Sequence, residues 1–183
     1  MTEGITIRRA TTEDIPNIQT LQQASSLISI ENEQEKAKEG YITWTPTREA
    51  LIKIMEFIGI ICATDTNGKV IGYEIPAPLE LTREDETFKA SLATLNDLEH
   101  EGIKITGPTS INVGQIAIDR EFKGNGIAEQ MHAAFIDMIR DRYKLIFTGI
   151  ATDNPRSTNL AKKIGLKEIS RFERWILLAQ IIT

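Results

Sequence analysis

The sequence predicts a single α/β domain whose central sheet is mixed, mostly antiparallel and flanked by helices. Three observations carry this. Runs 59–64 and 70–75 flank Asp65-Thr-Asn-Gly-Lys69, where Asn67-Gly68 favours the tight turn of an antiparallel hairpin. Beyond residue 110 the apolar spacing alternates strand, helix, strand, helix, strand. Within that stretch Leu145-Ile-Phe-Thr-Gly-Ile-Ala151 is apolar almost throughout, as a strand covered on both faces must be.

Taken in order, Ile5-Thr-Ile7 alternates as a short opening strand. Ile15, Ile18, Leu21 and Ala24 then fall at helical spacing, with Asp14 or a preceding Thr as cap and Pro16 tolerated in the first turn. Residues 25–40 are polar and charged and predict a second, mobile helix. Thr47 starts another, with Leu51, Ile54 and Met55 on one face. After the hairpin, Pro76 and Pro78 are expected to end its second strand, because proline has no N–H to give to a ladder. Phe88, Leu92, Leu95 and Leu98 mark a helix ending near Gly102. It lies in a stretch, 80–110, too short to own a core and therefore read as an insertion over one face. Residues 111–118 form a strand, and 127–143 an amphipathic helix with Ile127, Met131, Phe135, Met138 and Ile139 inward. Asn154-Pro155 opens the last helix as cap and first residue, and Gly165 closes it. Residues 170–183 make a final strand pair or one long strand. Its apolar run, 175–182, either lies in the core or pairs with a second copy in a homodimer.

A chain of 183 residues suits one domain that buries roughly 70% of its unfolded surface and needs no disulfide or metal to hold it. Lone Cys62, in an apolar run, reads as a small buried hydrophobe. No apolar stretch approaches the ~20 residues of a membrane span, and no basic-then-apolar leader opens the sequence, so the expected compartment is the cytoplasm. A net charge of −5 with no dense basic stripe argues against nucleic acid or an anionic membrane as partner.

The chemistry gathers in Gln115-Ile-Ala-Ile-Asp-Arg-Glu-Phe-Lys-Gly-Asn-Gly-Ile-Ala128, a strand that runs through a glycine loop straight into a helix. Gly124 and Gly126 let backbone N–H groups turn inward, and the helix start adds unpaired donors with partial positive charge. Together with Lys123 they make an anion site suited to a pyrophosphate. There is no Gly-Lys-Ser/Thr of a P-loop. The glycines also lack the tight placement after a first strand, and the acidic residue about 20 positions on, that a dinucleotide fold requires.

Lys123-Gly-Asn-Gly-Ile-Ala128 resembles the CoA-binding motif of GNAT acetyltransferases. Ile7-Arg-Arg-Ala-Thr-Thr-Glu-Asp14, the hairpin ending Lys69-Val-Ile-Gly-Tyr73, and Asn154-Pro-Arg-Ser-Thr-Asn-Leu-Ala-Lys-Lys-Ile-Gly-Leu166 resemble that family's other segments, in its order. The resemblance covers most of the chain outside 25–45 and 80–110. It implies a GNAT-like fold, acetyl-CoA as cosubstrate and no metal, and a primary amine of a small molecule or peptide as acceptor. It also implies roles for particular residues. Backbone groups of Ile116, Ala117 and Ile118 pair with the pantetheine arm. Amides of Lys123, Gly124, Asn125, Gly126, Ile127 and Ala128 hold the pyrophosphate. Asn154 and Ser157 touch the pantetheine near its thiol end, unless they are simply a helix cap and an exposed first-turn residue.

Two positions depart from the family pattern. Lys123 stands where Gln or Arg is usual and loses the planar fork. Ala161 stands where many members carry the Tyr that protonates the departing thiolate. For the proton on the amine, Glu74 is the best-placed carboxylate, its alternative being a surface strand residue, and Gln115 can at most position a water. His100 and His132 are poor candidates, one in the insertion and the other mid-helix. Glu31, Glu33, Glu35, Glu84, Asp85 and Glu86 either attract a cationic amine or form a solvated acidic face. The runner-up to an N-acetyltransferase is a module that binds acyl-CoA without turnover.

Overall fold

The computed structural model describes residues 4–29, 38–172 and 174–182, with the backbone alone at 90 and 91. Nine strands and six helices carry the architecture among these residues. The strands are β1 (Thr6–Arg9), β2 (Ile61–Thr64), β3 (Val70–Ala77), β4 (Glu99–His100), β5 (Ile103–Lys104), β6 (Ser110–Ile118), β7 (Leu145–Ala151), β8 (Lys167–Arg171) and β9 (Trp175–Ile181). The helices are α1 (Ile15–Ser25), α2 (Arg48–Phe57), α3 (Leu79–Thr82), α4 (Glu86–Leu95), α5 (Ile127–Ile139) and α6 (Pro155–Lys163).

Seven strands form one sheet in the order β1-β2-β3-β6-β7-β9-β8, while β4 and β5 make a separate small hairpin. Every neighbouring pair in the large sheet is antiparallel except β6 with β7. That parallel seam is short: Ser110, Ile111 and Asn112 pair with Leu145, Ile146 and Phe147, and the ladder stops there. β9 lies between β7 and β8, so both of its edges are occupied. The apolar tail is therefore an internal strand, and it has no free edge for a second copy.

Both faces of the sheet are covered. α5 and α6 close one face through Met131, Phe135, Ile139 and Ala161, joined by Leu166 just past α6, packed on Ile111, Ile146 and Leu178. α1 and α2 cover the other face over β2 and β3, with Ile15, Ile18, Leu51 and Ile54 against Tyr73 and Ile75. On that same face, over β7 and β9, Leu92, Leu95 and Ile105 meet Leu145, Phe147, Leu177 and Ala179. The expected insertion is thus a cap over half a sheet face, sharing its core with β7 and β9.

Several boundaries differ from the sequence expectation, each for a physical reason. β3 runs through Pro76 to Ala77 rather than stopping before it. The ladder with β6 shifts between Ile75 and Pro76, where Gly114 is the extra residue, and a proline sits at such a bulge without costing a ladder bond. α4 ends at Leu95, not near Gly102, because residues 99–104 form the β4–β5 hairpin, turned by Glu101 and Gly102 in left-handed conformation. α5 ends at Ile139, four residues short of Tyr143. The final pair begins at Lys167. Half of the helix expected over 25–40, residues 30–37 with Glu31, Glu33 and Glu35, lies outside the described residues; the part before it holds a single 3-10 turn, Leu27–Ser29. At the entry to α1, Asp14 accepts from both Arg8 guanidinium nitrogens (2.7 and 2.8 Å) and from the Thr11 amide (2.7 Å), which ties β1 to the helix start.

Candidate active site

The site is built where the sheet comes apart. Past Asn112 and Phe147, β6 and β7 no longer pair, and the bulge at Gly114 bends β6 away from its neighbour. The Thr148 hydroxyl donates to the Val113 carbonyl (3.1 Å) at the mouth of the gap. Residues 113–116 and 148–151 line its two sides, with Asn154, Ser157 and Ala161 of the α6 region closing one end. Each of these strands already has an antiparallel partner on its outer edge, so the facing inner edges are what an extended amide-bearing chain would pair with.

Toward the start of α5 the gap widens into a cavity of about 390 Å³. Its walls include Ile116, Ala117, Ile118, Lys123, Gly124, Gly126, Ile127, Ala128 and Ser157. Gly124 and Gly126 hold φ of +85° and +74°, the left-handed region that disfavours any residue with a Cβ, and open space lies where that Cβ would be. Their conformation rather than crowding therefore requires glycine. The N–H groups of Gly124, Asn125 and Gly126 make no backbone hydrogen bond among the described residues. Asn125 turns its side-chain amide back to the Phe122 carbonyl (3.2 Å) and does not line the cavity.

An anion of the chain itself stands in this cavity. The Glu39 carboxylate accepts from Lys123 Nζ at 2.9 Å and lies 3.4 Å from the Arg120 guanidinium. The hydrogen bond to Lys123 holds Glu39 below the usual carboxylate range, against the opposing effect of burial. A phosphate group has the same need for two cations and free amides, so the residues present fit a pyrophosphate.

Glu39 belongs to a segment, 38–44, that roofs the gap. The Tyr41 hydroxyl donates to Asp153 (2.5 Å), and Asn154 Nδ2 donates to the Tyr41 carbonyl (2.9 Å). Asn154 Oδ1 meanwhile accepts from the Ser157 amide (3.2 Å), so one side chain caps α6 and fastens the roof. Further along, Trp44 Nε1 donates to Asp85 (3.0 Å), and the Trp44 ring lies over Gly114, where a Cβ would come within 2.5 Å of it. Gln115 is fully engaged: its Oε1 accepts from the Tyr73 hydroxyl (2.8 Å) and its Nε2 donates to the Trp44 carbonyl (3.0 Å). Burial holds the Tyr73 phenol well above its ordinary pKa, so it remains a donor.

Glu74 is fully buried on the opposite face of β3, beneath α5. His132 Nδ1 is hydrogen-bonded with its Oε1 at 2.8 Å, and His132 Nε2 with Gln180 Oε1 at 3.3 Å. Burial raises the Glu74 carboxyl. For His132 burial acts downward, but the bond and charge of Glu74 outweigh it, and the imidazole lies above its usual value.

The structure thus brings Ile116–Ile118, the glycine loop, Asn154 and Ser157 around one cleft, with the backbone of Gln115 on its wall. It does not bring Glu74 there. Sequence reasoning missed Glu39, Arg120, Tyr41 and Trp44, whose partners lie far along the chain. It also passed over the burial of His132, although Ala128, His132, Phe135 and Ile139 repeat at helical spacing. Ala161 is buried against the cleft and brings no hydroxyl; Tyr41, Thr148 and Ser157 bring theirs to the same walls.

The family model described as an acetyltransferase (GNAT) domain matches residues 5–167. A search of curated proteins finds no match to the chain. Among solved structures, phosphinothricin acetyltransferase (Pat) of Sinorhizobium meliloti, in complex with AcCoA, superposes with a TM-score of 0.63 at 16% identity, covering 100% of this chain and 89% of that one. The putative acetyltransferase yncA of Salmonella typhimurium, with acetyl-CoA, gives 0.62 at 14% identity over 98% and 94%. Ribosomal-protein-alanine N-acetyltransferase of Brucella melitensis gives 0.60 at 17% identity over 97% and 99%. At such identities the likeness is one of fold.

Proposed function

Because the chain belongs to the GNAT acetyltransferase family, we propose that it moves an acetyl group from acetyl-CoA to the primary amine of a small molecule or peptide by direct attack. The observation that carries this is the cleft between β6 and β7, which continues into a cavity holding two glycine-loop amides, Lys123 and Arg120. Two of the similar structures hold acetyl-CoA, which supports the same cosubstrate here. Acetyl-CoA supplies a thioester: the amine nitrogen bonds to its carbonyl carbon, the C–S bond breaks, CoA leaves as thiolate, and the ammonium proton passes to solvent.

The residues of the chain act by placement. Ile116, Ala117 and Ile118 offer the free edge of β6 to the pantetheine amides, and the loop from Lys123 to Ala128 takes the pyrophosphate. Asn154 and Ser157 border the thiol end. Backbone N–H groups at the bulge are positioned to stabilise the developing oxyanion. Gln115 holds the bulge to Tyr73 and the roof as a positioning residue, and Glu74 ties β3 to α5 through His132. With Ala161 in place of a phenol, the thiolate departs unassisted, which a thiol pKa of about 8.5 permits.

Calorimetry with acetyl-CoA tests the site, on the wild type and on a Gly124→Trp, Gly126→Trp double variant shown to be folded. Binding by the wild type and its loss in the variant support the loop assignment; no binding by the wild type overturns it. Ala161 favours one alternative, a module that binds acyl-CoA without turnover. Amine-dependent release of free CoA thiol separates the two.

A further inference from the structure

The gap between β6 and β7 passes through the sheet. On the face away from α5 it opens into a second cavity of about 310 Å³ between α4, β6, β7 and β9. Thr43, Val113, Gly114, Thr148, Gly149 and Trp175 line both this cavity and the gap, so the two are continuous. Among the described residues, no side chain bordering the cavity is charged. Trp44, Phe88, Phe147, Phe172 and Trp175 supply aromatic walls, with Trp44 and Phe88 meeting edge to face at 5.0 Å. One polar side chain stands out. Asn112, the last residue of the parallel seam, borders the cavity, is nearly fully buried, and its Oδ1 has no hydrogen-bond partner. A buried acceptor without a donor is costly, and an amide in that state next to a cavity suits a ligand that brings the donor.

The geometry points to a specific acceptor class: a primary amine whose non-reacting end is a neutral aromatic or branched apolar group, seated in this cavity and hydrogen-bonded to Asn112. This deepens the acetyltransferase reading and rests on it. The thioester would enter from the glycine-loop face and the amine from the opposite face, the two meeting at Val113–Gln115. Among the described residues lining it, a polyamine or another substrate with a second charge finds no counter-charge. Asp85, which reaches the aromatic wall, already accepts from the Trp44 indole and from the Thr87 amide. The cavity is of the size that holds a small molecule or a single side chain.

The chain has two tryptophans and both border this cavity, so intrinsic fluorescence reports its occupancy. Phenethylamine, a dipeptide with amino-terminal Phe, and spermidine would each be titrated into the wild type in the presence of CoA. Leu95→Phe, which fills the cavity, and Asn112→Leu would be titrated in parallel. Acetyl-CoA affinity is measured on each by calorimetry. The expected result is a saturable change with at least one aromatic amine, tenfold or more tighter than with spermidine. Both variants should weaken it about tenfold while acetyl-CoA affinity stays within twofold. Asn112→Leu should keep or raise Tm, since the amide it removes has no partner to lose. Whether the free amine or the dipeptide binds better identifies the source within the class. Equal or tighter binding of spermidine, or no saturable response to either aromatic amine while acetyl-CoA still binds, overturns the inference and leaves the acetyltransferase reading standing. Failure of the wild type to bind acetyl-CoA overturns both.

Discussion

Glu39 stands between Lys123 and Arg120, the two cations of the proposed pyrophosphate site. On the proposed reading, ligand entry would exchange one anion for another at Lys123 and Arg120, and a carboxylate that stays nearby would repel the newcomer. Glu39→Gln is therefore expected to tighten acetyl-CoA binding, by roughly two- to fivefold at low salt, the scale of a partly exposed ion pair. Calorimetry at two ionic strengths checks it, and the gain should shrink as salt rises. His132 and Glu74 carry the opposite lesson. Removing His132 alone leaves the buried Glu74 without its partner, so His132→Leu should cost about 3–5 kcal/mol, while a Glu74→Leu, His132→Leu double variant recovers most of that. The pair also sets a pH dependence. A histidine whose folded pKa is raised adds stability in full below its unfolded value of about 6.5, and loses it as pH rises through the folded value. The raised Glu74 carboxyl acts in the same direction. Urea unfolding between neutral and alkaline pH should show declining stability in the wild type and a flatter profile in the double variant.

Among elements, those with a local signal were legible in the sequence. Asn67-Gly68 marked its hairpin, Asn154-Pro155 its helix start, and Gly124 and Gly126 their loop, because backbone conformation there is set within a few residues. What was not legible depended on partners far away. Pro76 reads locally as a strand end, yet the bulge opposite Gly114 removes the need for its N–H, and nothing near residue 76 reveals that. The same holds for Glu39, whose partner Lys123 is 84 positions away, and for Glu74, whose partner is 58 positions away. The helix starting at Ile127 illustrates how conformation and function separate. Gly126 and Gly68 both have positive φ and open space at the Cβ position, so an alanine at either should cost a similar 1–2 kcal/mol. Only Gly126→Ala turns amides away from the cavity, and it alone should weaken acetyl-CoA binding, by about tenfold or more in calorimetry.

For the whole molecule, the order of strands followed from the alternation of apolar patterns and from the family resemblance, but the parting of β6 from β7 did not. Ile111–Ile118 and Leu145–Ala151 both read as ordinary buried strands, and only their relative path in space separates them after three residue pairs. The sheet is consequently two halves, β1-β2-β3-β6 and β7-β9-β8, joined by a narrow seam and by the roof over it. Amide hydrogen exchange should be faster at 113–118 and 148–151 than at 110–112 and 145–147. Acetyl-CoA should slow it on both sides of the gap at once.

A seam this narrow makes the cosubstrate part of the mechanical frame. By mass action, a ligand at a hundredfold excess over its Kd adds about 2.7 kcal/mol to the folded state, and here that gain would be concentrated on the line along which the sheet opens. Proteolytic lifetime then becomes a gauge of supply: chain starved of acetyl-CoA is cut first at the gap, and chain well supplied persists.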